Sequence, residues 1–354
     1  MQKNKLIYDT KFASDLIQWY NENKRDLPWR KTRDPYKIWL SEVILQQTRV
    51  NQGLPYYLRF IENFPTITDL AKAEEDKVLR TWQGLGYYSR AKNLHKCAKI
   101  ISEENGGVFP KSSTELLKLP GIGPYTAAAI ASFCFKETIA VLDGNVFRVL
   151  ARYYGIDTNI ASTQGAKEFK DLANAVISRS HPDSYNQAIM EFGATHCTPT
   201  NPSCDNCILA HSCYAYSNQA QKELPVKIKN TKVRDRYFYY IVYTSNGKLG
   251  MTLRKKKDIW QGLYDFHLLE KEHKLSVDEA MELVQKKLKG HETIDISKEY
   301  KHILSHQRIH ATFITIDMAN EYELGDSIQF YSKDEVEELP KPVLVSRYLN
   351  EYIF

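Results

Sequence analysis

Residues 112–133 read SSTELLKLPGIGPYTAAAIASF, and this stretch decides the fold of the N-terminal part of the chain. Ser112 and Glu115 have the spacing of a capping box, which begins a short first helix. The segment PGIG at 120–123 makes a tight turn, and an Ala-rich second helix begins near Tyr125. The pattern therefore predicts two short helices joined by a glycine-containing turn.

The turn contains two glycines, Gly121 and Gly123, which let the backbone approach another surface closely. The second helix also directs its free N–H groups and the positive end of its dipole toward the turn. These features are typical of a device that binds phosphate without reading base sequence. A plain pair of packed helices is the alternative.

The pattern along the chain predicts two domains. Residues 1–220 show mostly helical periodicity broken by Gly and Pro, and we assign them to one helical domain. Residues 221–235 are polar and basic and are interpreted as a linker. Residues 236–354 are predicted to form an α+β domain that opens with a hairpin at Asn246-Gly247 and closes with two helices.

The composition is that of a globular protein whose basic residues are in excess in the N-terminal part of the sequence. The 354 residues are 43% hydrophobic and carry a formal net charge of +5, and the basic excess lies before residue 241. This excess weakly indicates a polyanionic partner. The N-terminus has no apolar signal segment and no apolar run is long enough for a membrane span, so we expect a cytoplasmic protein with reduced thiols.

Four of the six cysteines fall within residues 197–213, in the spacing C-x6-C-x2-C-x5-C. Cysteines this close together in a reducing compartment usually bind metal. Structural zinc sites pair two short knuckles, and only one such knuckle is present here. A cubane iron–sulfur cluster takes four thiolates from one compact loop, so the spacing mildly favours iron–sulfur over zinc. The four candidate ligands are Cys197, Cys204, Cys207 and Cys213.

The hairpin, the segment VLDGNVFRV (141–149) and the cysteine loop together resemble the endonuclease III superfamily of DNA glycosylases. Further segments resemble its adenine DNA glycosylases, the MutY family. These segments are LPWR (27–30), WLSEVILQQTRV (39–50), WQGLGYYSRAKNL (82–94) and NQAIMEFGA (186–194). The resemblance covers nearly the whole chain. It implies a helix-hairpin-helix glycosylase domain with a 4Fe-4S loop, followed by a Nudix-like domain that checks the lesion.

Two carboxylates are the candidate catalytic residues. Glu42 lies in a predicted helix that is apolar on nearly every side, so its pKa should rise and suit a general acid. Asp143 precedes a helical segment, where its residue type indicates an N-cap that keeps the carboxylate ionised. The resemblance implies that Glu42 protonates adenine and that Asp143 stabilises the positive charge that develops on the sugar.

The resemblance also implies a monofunctional enzyme. Bifunctional members place a lysine in the hairpin, at the position that Tyr125 occupies here, and that lysine forms a Schiff base. A phenol cannot do so. We therefore expect the chain to hydrolyse the glycosidic bond of adenine and to stop at the abasic site.

The resemblance assigns further residues to the DNA substrate, which is a duplex with adenine opposite 8-oxoguanine or guanine. Adenine must be flipped out of the duplex. The expected adenine pocket consists of Arg30, Leu45, Tyr125 and Gln187. The residues expected at the opposite base are Gln47, Tyr87, Ser305 and His306. Leu304 departs from the aromatic residue that the family has before this Ser-His pair, and no Nudix box follows Gly262, so we expect no diphosphate hydrolysis.

Two rival functions remain at this point. One is a thymine-mismatch or oxidised-pyrimidine glycosylase of the same superfamily, against which Tyr125 and the C-terminal domain argue. The other is a DNA-binding or redox-sensing iron–sulfur protein without catalysis, against which the pair of Glu42 and Asp143 argues. We also expect a monomer with no membrane association.

Overall fold

The computed structural model describes residues 10–228, 233–287, 293–318 and 327–354. In these ranges no helix combines the length and the apolar character that crossing a bilayer requires. The chain divides into two compact units. The first, the helical unit, contains residues 1–72 and 93–229, and the second, the sheet unit, contains residues 73–92 and 230–354.

The described helices are numbered here in chain order. They are α1 (Thr10–Asn23), α2 (Pro35–Leu45), α3 (Val50–Asn63), α4 (Ile67–Lys72), α5 (Glu75–Trp82), α6 (Ser89–Glu104), α7 (Ser113–Leu116), α8 (Pro124–Phe135), α9 (Gly144–Tyr154), α10 (Thr163–Val176), α11 (Pro182–Thr195), α12 (Tyr214–Ser217), α13 (Val277–Lys287), α14 (Lys333–Glu338) and α15 (Val343–Tyr352). Two short 3-10 helices lie at Pro28–Arg30 and Ala210–Ser212.

The described strands all belong to the sheet unit. They are β1 (Arg234–Ser245), β2 (Lys248–Leu253), β3 (Tyr264–Asp265), β4 (His267–Lys271), β5 (Thr293–Ile296), β6 (Tyr300–Ile303), β7 (Gln307–Asp317) and β8 (Gln329–Tyr331).

The helical unit has a core to which α1, α8, α9, α10 and α11 contribute. Representative buried side chains are Phe12, Ala129, Val149, Phe169 and Phe192. Apolar residues recur at three- and four-residue spacing in α1, α9, α10 and α11, and the apolar face that results packs into this core, whereas α8 is buried continuously over residues 126–133. This core holds α2, α8, α9 and α11, the helices that carry or begin at the candidate site residues Glu42, Tyr125, Asp143 and Gln187.

The predicted hairpin is present as α7, the turn and α8. Ser112 accepts a hydrogen bond from the backbone N–H of Glu115 at 3.3 Å, which satisfies one free donor of α7. Gly123 is the residue before α8, and Pro124 occupies the first helical position, where its missing N–H costs nothing. The chain reverses at Gly121, whose φ is 78°.

The sheet unit is built around a mixed sheet with strand order β3-β2-β1-β7-β5. β1 and β7 pair in parallel, whereas the other described pairs are antiparallel. The predicted turn between β1 and β2 is confirmed, because Asn246 and Gly247 both have positive φ, at 49° and 76°, as a two-residue hairpin of this twist requires. The two predicted closing helices are also present, as α14 and α15.

Both faces of the central strand β1 are covered. Successive side chains of a strand point to opposite faces. Phe238 and Tyr240 pack in a cluster with residues of α14 and α15, while Tyr239 and Ile241 pack in a second cluster that includes Ala280 of α13. The unit is therefore a sheet with helices on both sides. The four residues 229–232 of the predicted linker lie outside the described residues, and β1 begins at Arg234.

We expect Gly121→Ala to lower the free energy of unfolding by about 1–3 kcal/mol, because a Cβ at this φ is strained and needs space. An added Cβ would lie only 2.6 Å from the Cβ of Asn93. Urea unfolding of the full-length chain measures this loss. Gly123→Ala is the matched control, since an added Cβ there meets nothing within 4 Å. Equal losses in the two variants would contradict the assignment of the constraint to Gly121.

Candidate active site

One cavity of about 190 Å³ in the helical unit contains most of the predicted site residues. Its wall includes Arg30, Glu42, Leu45, Tyr125, Asp143 and Gln187. These residues come from five segments that are distant in sequence, and the packing of the helical core brings them together. The volume lies below the range of about 300–1,000 Å³ that is typical of drug-sized ligands, so the cavity suits a single base.

Glu42 lies in α2, a helix that is buried on nearly every side, and only 7% of the residue is exposed. Burial raises the pKa of its carboxyl group to about 7. A hydrogen bond of 2.6 Å from the hydroxyl of Tyr125 to Oε2 opposes this shift, and the negative charge of Asp143 adds to it. Glu42 is thus poised to hold and release a proton near neutrality.

Asp143 caps the N-terminus of α9. Its Oδ1 accepts hydrogen bonds from the backbone N–H groups of Asn145 and Val146, both at 2.8 Å, and its Oδ2 accepts one from the side-chain amide of Asn145 at 2.8 Å. Burial raises the pKa of Asp143, and the capping hydrogen bonds lower it without cancelling the rise. The predicted N-cap is therefore confirmed, and its donors favour the charged form against desolvation.

Asp143 is also linked to the cysteine loop through α9. The amide oxygen of Asn145 accepts a hydrogen bond of 2.8 Å from Arg148, whose Nε donates to the carbonyl of Cys197 at 2.7 Å. One turn further along, Arg152 donates to the carbonyls of Thr198 and Pro199 within the loop and to those of Gln221 and Leu224 after it. Two arginines thus fasten the loop to the helix that carries the candidate catalytic aspartate.

A buried ion-pair network, which the sequence did not indicate, forms another wall of the cavity. Glu191 accepts hydrogen bonds from Arg25 at 2.8 and 2.6 Å and from Arg30 at 2.6 Å. Burial would raise the pKa of Glu191, but these bonds outweigh it and lower the pKa to about 2. The predicted pocket residue Arg30 is therefore held in place by a permanently ionised carboxylate.

The side chain of the predicted pocket residue Gln187 is held by Tyr20, a residue that the sequence did not indicate as part of the site. The hydroxyl of Tyr20 donates a hydrogen bond of 2.6 Å to the amide oxygen of Gln187. One signal in the sequence could have revealed part of this wall. Gln187 and Glu191 are four residues apart in α11, so a helix presents both on one face.

The four cysteines of the loop line one small apolar cavity of about 30 Å³. No disulfide bond joins any of the six cysteines, all of which lie within the described residues. Arg152 donates a hydrogen bond of 3.4 Å to the sulfur of Cys197. In the described ranges of the chain, no group of three or more His, Cys, Asp or Glu side chains has the arrangement that one metal ion needs. The donor set, four thiols with a buried guanidinium beside them, fits an iron–sulfur cluster held by four thiolates.

A second cavity, of about 350 Å³, lies within the sheet unit and contains Tyr87, Ser305 and His306 in its wall. The hydroxyl of Tyr87 donates a hydrogen bond of 3.0 Å to the hydroxyl of Ser305. Tyr87 is 47% exposed, although its neighbour Tyr88 is buried. Leu304 also lies in this wall. Gln47 is exposed after the end of α2, with a positive φ of 56°, and is not part of either cavity wall.

Comparison with protein families gives two matches. Residues 40–175 match the model of the HhH-GPD superfamily base excision DNA repair proteins. Residues 238–351 match the model of the NUDIX domain. The first match contains Glu42, the hairpin and Asp143, and the second contains the Ser305-His306 pair.

Comparison with curated proteins gives relatives over most of the chain. An adenine DNA glycosylase of Buchnera aphidicola subsp. Baizongia pistaciae is 36% identical over 309 residues, which are 86% of each chain. An adenine DNA glycosylase of Rattus norvegicus is 42% identical over 224 residues, which are 61% of this chain and 43% of the rat protein.

Comparison with solved structures supports the fold of the helical part. A thermostable thymine-DNA glycosylase is similar with a TM-score of 0.56 and 29% identity, covering 62% of this chain and all of that one. An endonuclease III–DNA complex is similar with a TM-score of 0.52 and 21% identity, covering 60% of this chain and 97% of that one. The second likeness concerns the fold alone.

The raised pKa of Glu42 predicts a pH-dependent cost in stability. The folded state holds the Glu42 proton up to a pH of about 7, whereas an unfolded glutamate releases it near its ordinary value, so stability falls as the pH rises between these two values. Glu42→Gln removes this cost. Between pH 4.5 and pH 8 we expect the free energy of unfolding of the variant to rise, relative to that of the parent, by up to about 3 kcal/mol. Urea unfolding at several pH values measures this difference.

The control for this measurement is Glu115→Gln, which changes an exposed glutamate of α7. The difference in free energy of unfolding between this variant and the parent should not change across the same pH range. A flat difference for Glu42→Gln as well would contradict the raised pKa.

Proposed function

The chain belongs to the adenine DNA glycosylases of the HhH-GPD superfamily, and we propose that it releases adenine from duplex DNA in which adenine is paired with 8-oxoguanine or guanine. The observation that carries this proposal is the cavity in which Glu42, buried with a pKa of about 7, lies beside the capped carboxylate of Asp143. Two carboxyl groups in different environments are what acid-assisted cleavage of a glycosidic bond requires.

Glu42 acts as the general acid in this proposal. Adenine is a poor leaving group until a ring nitrogen is protonated, and Glu42 transfers its proton to N7. The C1′–N9 bond then breaks, and its electron pair leaves with the neutral base. Tyr125 orients the Glu42 carboxyl group through its hydrogen bond of 2.6 Å. The hydroxyl of Tyr125 thus acts on the acid and does not attack the sugar.

Asp143 acts on the sugar. Loss of the base leaves positive charge on C1′ and the ring oxygen, and the carboxylate of Asp143 stabilises it. The capping donors hold the carboxylate in one orientation, so little rearrangement is needed when the charge develops. A water molecule then attacks C1′, and the Glu42 carboxylate takes up the proton that the water loses. The acid is thereby restored.

The target adenine enters the cavity as a flipped-out base. Inside a duplex, N7 and the glycosidic bond are not both accessible to a carboxyl group and a carboxylate. Arg30 and Gln187 lie in the cavity wall, and each is held by a buried partner. Such fixed polar side chains position a base edge. Leu45 supplies an apolar contact.

We propose that the reaction ends at the abasic site. Tyr125 occupies the hairpin position at which a lyase has its Schiff-base lysine, and its phenol is engaged with Glu42. No lysine lies in the wall of the catalytic cavity as the structure describes it. The expected product is an intact strand that breaks only after treatment with alkali.

The hairpin and the cysteine loop are proposed to bind the DNA backbone and a 4Fe-4S cluster, respectively. Gly123 is exposed, and the N–H groups at the start of α8 are directed past it, which suits contact with a phosphate. Cys197, Cys204, Cys207 and Cys213 would hold the cluster, which would stabilise the fold of the loop. Arg148 and Arg152 would transmit that order to α9.

The sheet unit is proposed to check the base opposite adenine. Tyr87 is exposed and lies beside Ser305, so an aromatic ring and two polar side chains share one cavity wall. An exposed aromatic side chain can wedge into a base stack, and Ser and His can form hydrogen bonds with a base edge. Gln47 is proposed to contact the same base.

We expect Glu42→Gln and Asp143→Asn each to retain binding to a duplex with adenine opposite 8-oxoguanine and to lower the rate of adenine release by at least about 10²-fold. The first variant lacks the transferable proton, and the second lacks the charge that stabilises the sugar cation. Single-turnover release of adenine, measured beside gel-shift affinity, tests both. Release at the parental rate by either variant would remove that residue from the mechanism.

Duplexes with adenine opposite 8-oxoguanine, thymine opposite guanine and an oxidised pyrimidine separate the rival functions. The proposal predicts release of the base from the first duplex only, with strand cleavage only after alkali. Release of thymine would instead support the hypothesis of a thymine-mismatch glycosylase. The similarity to a thymine-DNA glycosylase, at 29% identity, is the observation that favours this alternative. Binding without release from any duplex would support a non-catalytic DNA-binding protein.

The cluster assignment has its own test. We expect the purified chain to contain iron and labile sulfide at about four atoms of each per chain, and Cys204→Ser to lose most of both. Cys134→Ser is the matched control, because Cys134 lies in α8 outside the loop. Stoichiometric zinc without sulfide in the parent chain would contradict the assignment.

A further inference from the structure

The Ser305-His306 pair lies in the turn between β6 and β7, and this turn is fixed by its backbone. The N–H of Leu304 donates to the carbonyl of Gln307 at 2.8 Å, which closes the turn. The N–H of Arg234 in β1 donates to the carbonyl of His306 at 3.1 Å. The two polar side chains therefore project from a fixed position of the backbone.

Gln307, the first residue of β7, is held in one orientation by a buried arginine. Arg236 is 7% exposed, and two carboxylates, Asp258 and Glu270, each bind its guanidinium through two hydrogen bonds of 2.7–3.0 Å. Its NH1 donates a further hydrogen bond of 3.0 Å to Oε1 of Gln307. A guanidinium can only donate, so the Gln307 oxygen must face Arg236 and its NH2 group must face the other way.

The NH2 group of Gln307 then determines which nitrogen of His306 carries the proton. Nε2 of Gln307 lies 2.7 Å from Nε2 of His306. Because the amide nitrogen can only donate, the imidazole Nε2 must accept and therefore carries no proton. In the neutral ring the proton lies on Nδ1, which is 3.3 Å from the hydroxyl oxygen of Ser305.

Ser305 receives two hydrogen bonds in this arrangement. Nδ1–H of His306 donates to its oxygen, and so does the hydroxyl of Tyr87 at 3.0 Å. A serine hydroxyl has two acceptor lone pairs and one donor hydrogen. Both lone pairs are thus occupied, and the hydrogen is the group that Ser305 has left for a ligand.

We propose that Gln307 is a positioning residue that makes Ser305 a hydrogen-bond donor, and that this hydrogen binds the C8 oxygen of 8-oxoguanine. The chain Arg236, Gln307, His306 and Ser305 is called the recognition relay below. The C8 oxygen is the acceptor that 8-oxoguanine has and guanine lacks. The inference rests on the proposed function for the identity of the base, but the direction of the recognition relay follows from the hydrogen bonds alone.

Gln307→Glu reverses the direction of the recognition relay with almost no change in size. A carboxylate can only accept, so it can keep the hydrogen bond from Arg236 but requires a proton on Nε2 of His306. Nδ1 then becomes an acceptor, and the hydroxyl hydrogen of Ser305 turns to it and away from the ligand. Gln307→Met is a second variant, which removes both hydrogen bonds without adding charge.

Nitrogen-15 NMR of histidine-labelled full-length protein measures the ring tautomer directly, at about pH 8.5, where an ordinary imidazole is neutral. His306→Asn identifies the signal by its loss. We expect Nδ1 of His306 to be protonated in the parent chain, Nε2 in Gln307→Glu, and both tautomers to be populated in Gln307→Met. A parent ring with its proton on Nε2 would overturn the recognition relay, whatever DNA the protein binds.

The second measurement is affinity for duplexes that contain a non-hydrolysable adenosine analogue opposite 8-oxoguanine or guanine. We expect Gln307→Glu to bind the 8-oxoguanine duplex about tenfold more weakly relative to the guanine duplex, the change that loss of one hydrogen bond to a base produces. Gln329→Glu makes the same chemical change at an exposed position of β8, and we expect it to leave this ratio unchanged.

The two measurements separate the possible failures. The expected tautomers with an unchanged affinity ratio would refute donation to the C8 oxygen. The expected tautomers in a parent chain that releases no adenine from any duplex would refute the proposed function while leaving the recognition relay intact.

Discussion

The attachment of the cysteine loop to α9 is the constraint on which the candidate catalytic site depends. Arg148 and Arg152 lie one turn apart on α9 and reach carbonyl groups of the loop and the sulfur of Cys197. The same helix begins at Asp143, and Asn145 connects this carboxylate to Arg148. Order in the loop and the orientation of the aspartate are therefore parts of one hydrogen-bonded structure.

The two carboxyl groups of the cavity show how environment separates acid from electrostatic stabiliser. Glu42 has a single strong donor, Tyr125, against nearly complete burial, so the neutral form is favoured up to a pH of about 7. Asp143 has three donors at a helix N-terminus, which support its charge although burial opposes it. The ionised Glu191, paired with two arginines, forms a charged wall without competing for the proton. Residue type alone assigns none of these roles.

Local patterns allowed much of the fold to be predicted, because short-range rules govern them. The turn at Asn246-Gly247, the cap at Asp143 and the burial of α2 on nearly every side all follow from neighbours within a few residues. The ion pair of Arg25 and Glu191 could not be predicted in this way, because the two residues are 166 positions apart and only the tertiary fold brings them together. For the same reason the sequence suggested a continuous N-terminal domain and gave no sign that residues 73–92 pack with the sheet unit.

The membership of residues 73–92 in the sheet unit makes the architecture discontinuous. The polypeptide passes from one unit to the other at 72/73, 92/93 and 229/230, and the middle crossing falls within α6. A single cut at 229/230 would therefore separate α5 and Tyr87 from the strands and helices with which they are grouped. The two units are therefore not two consecutive stretches of the chain, because the sheet unit includes a segment that lies within the first 92 residues.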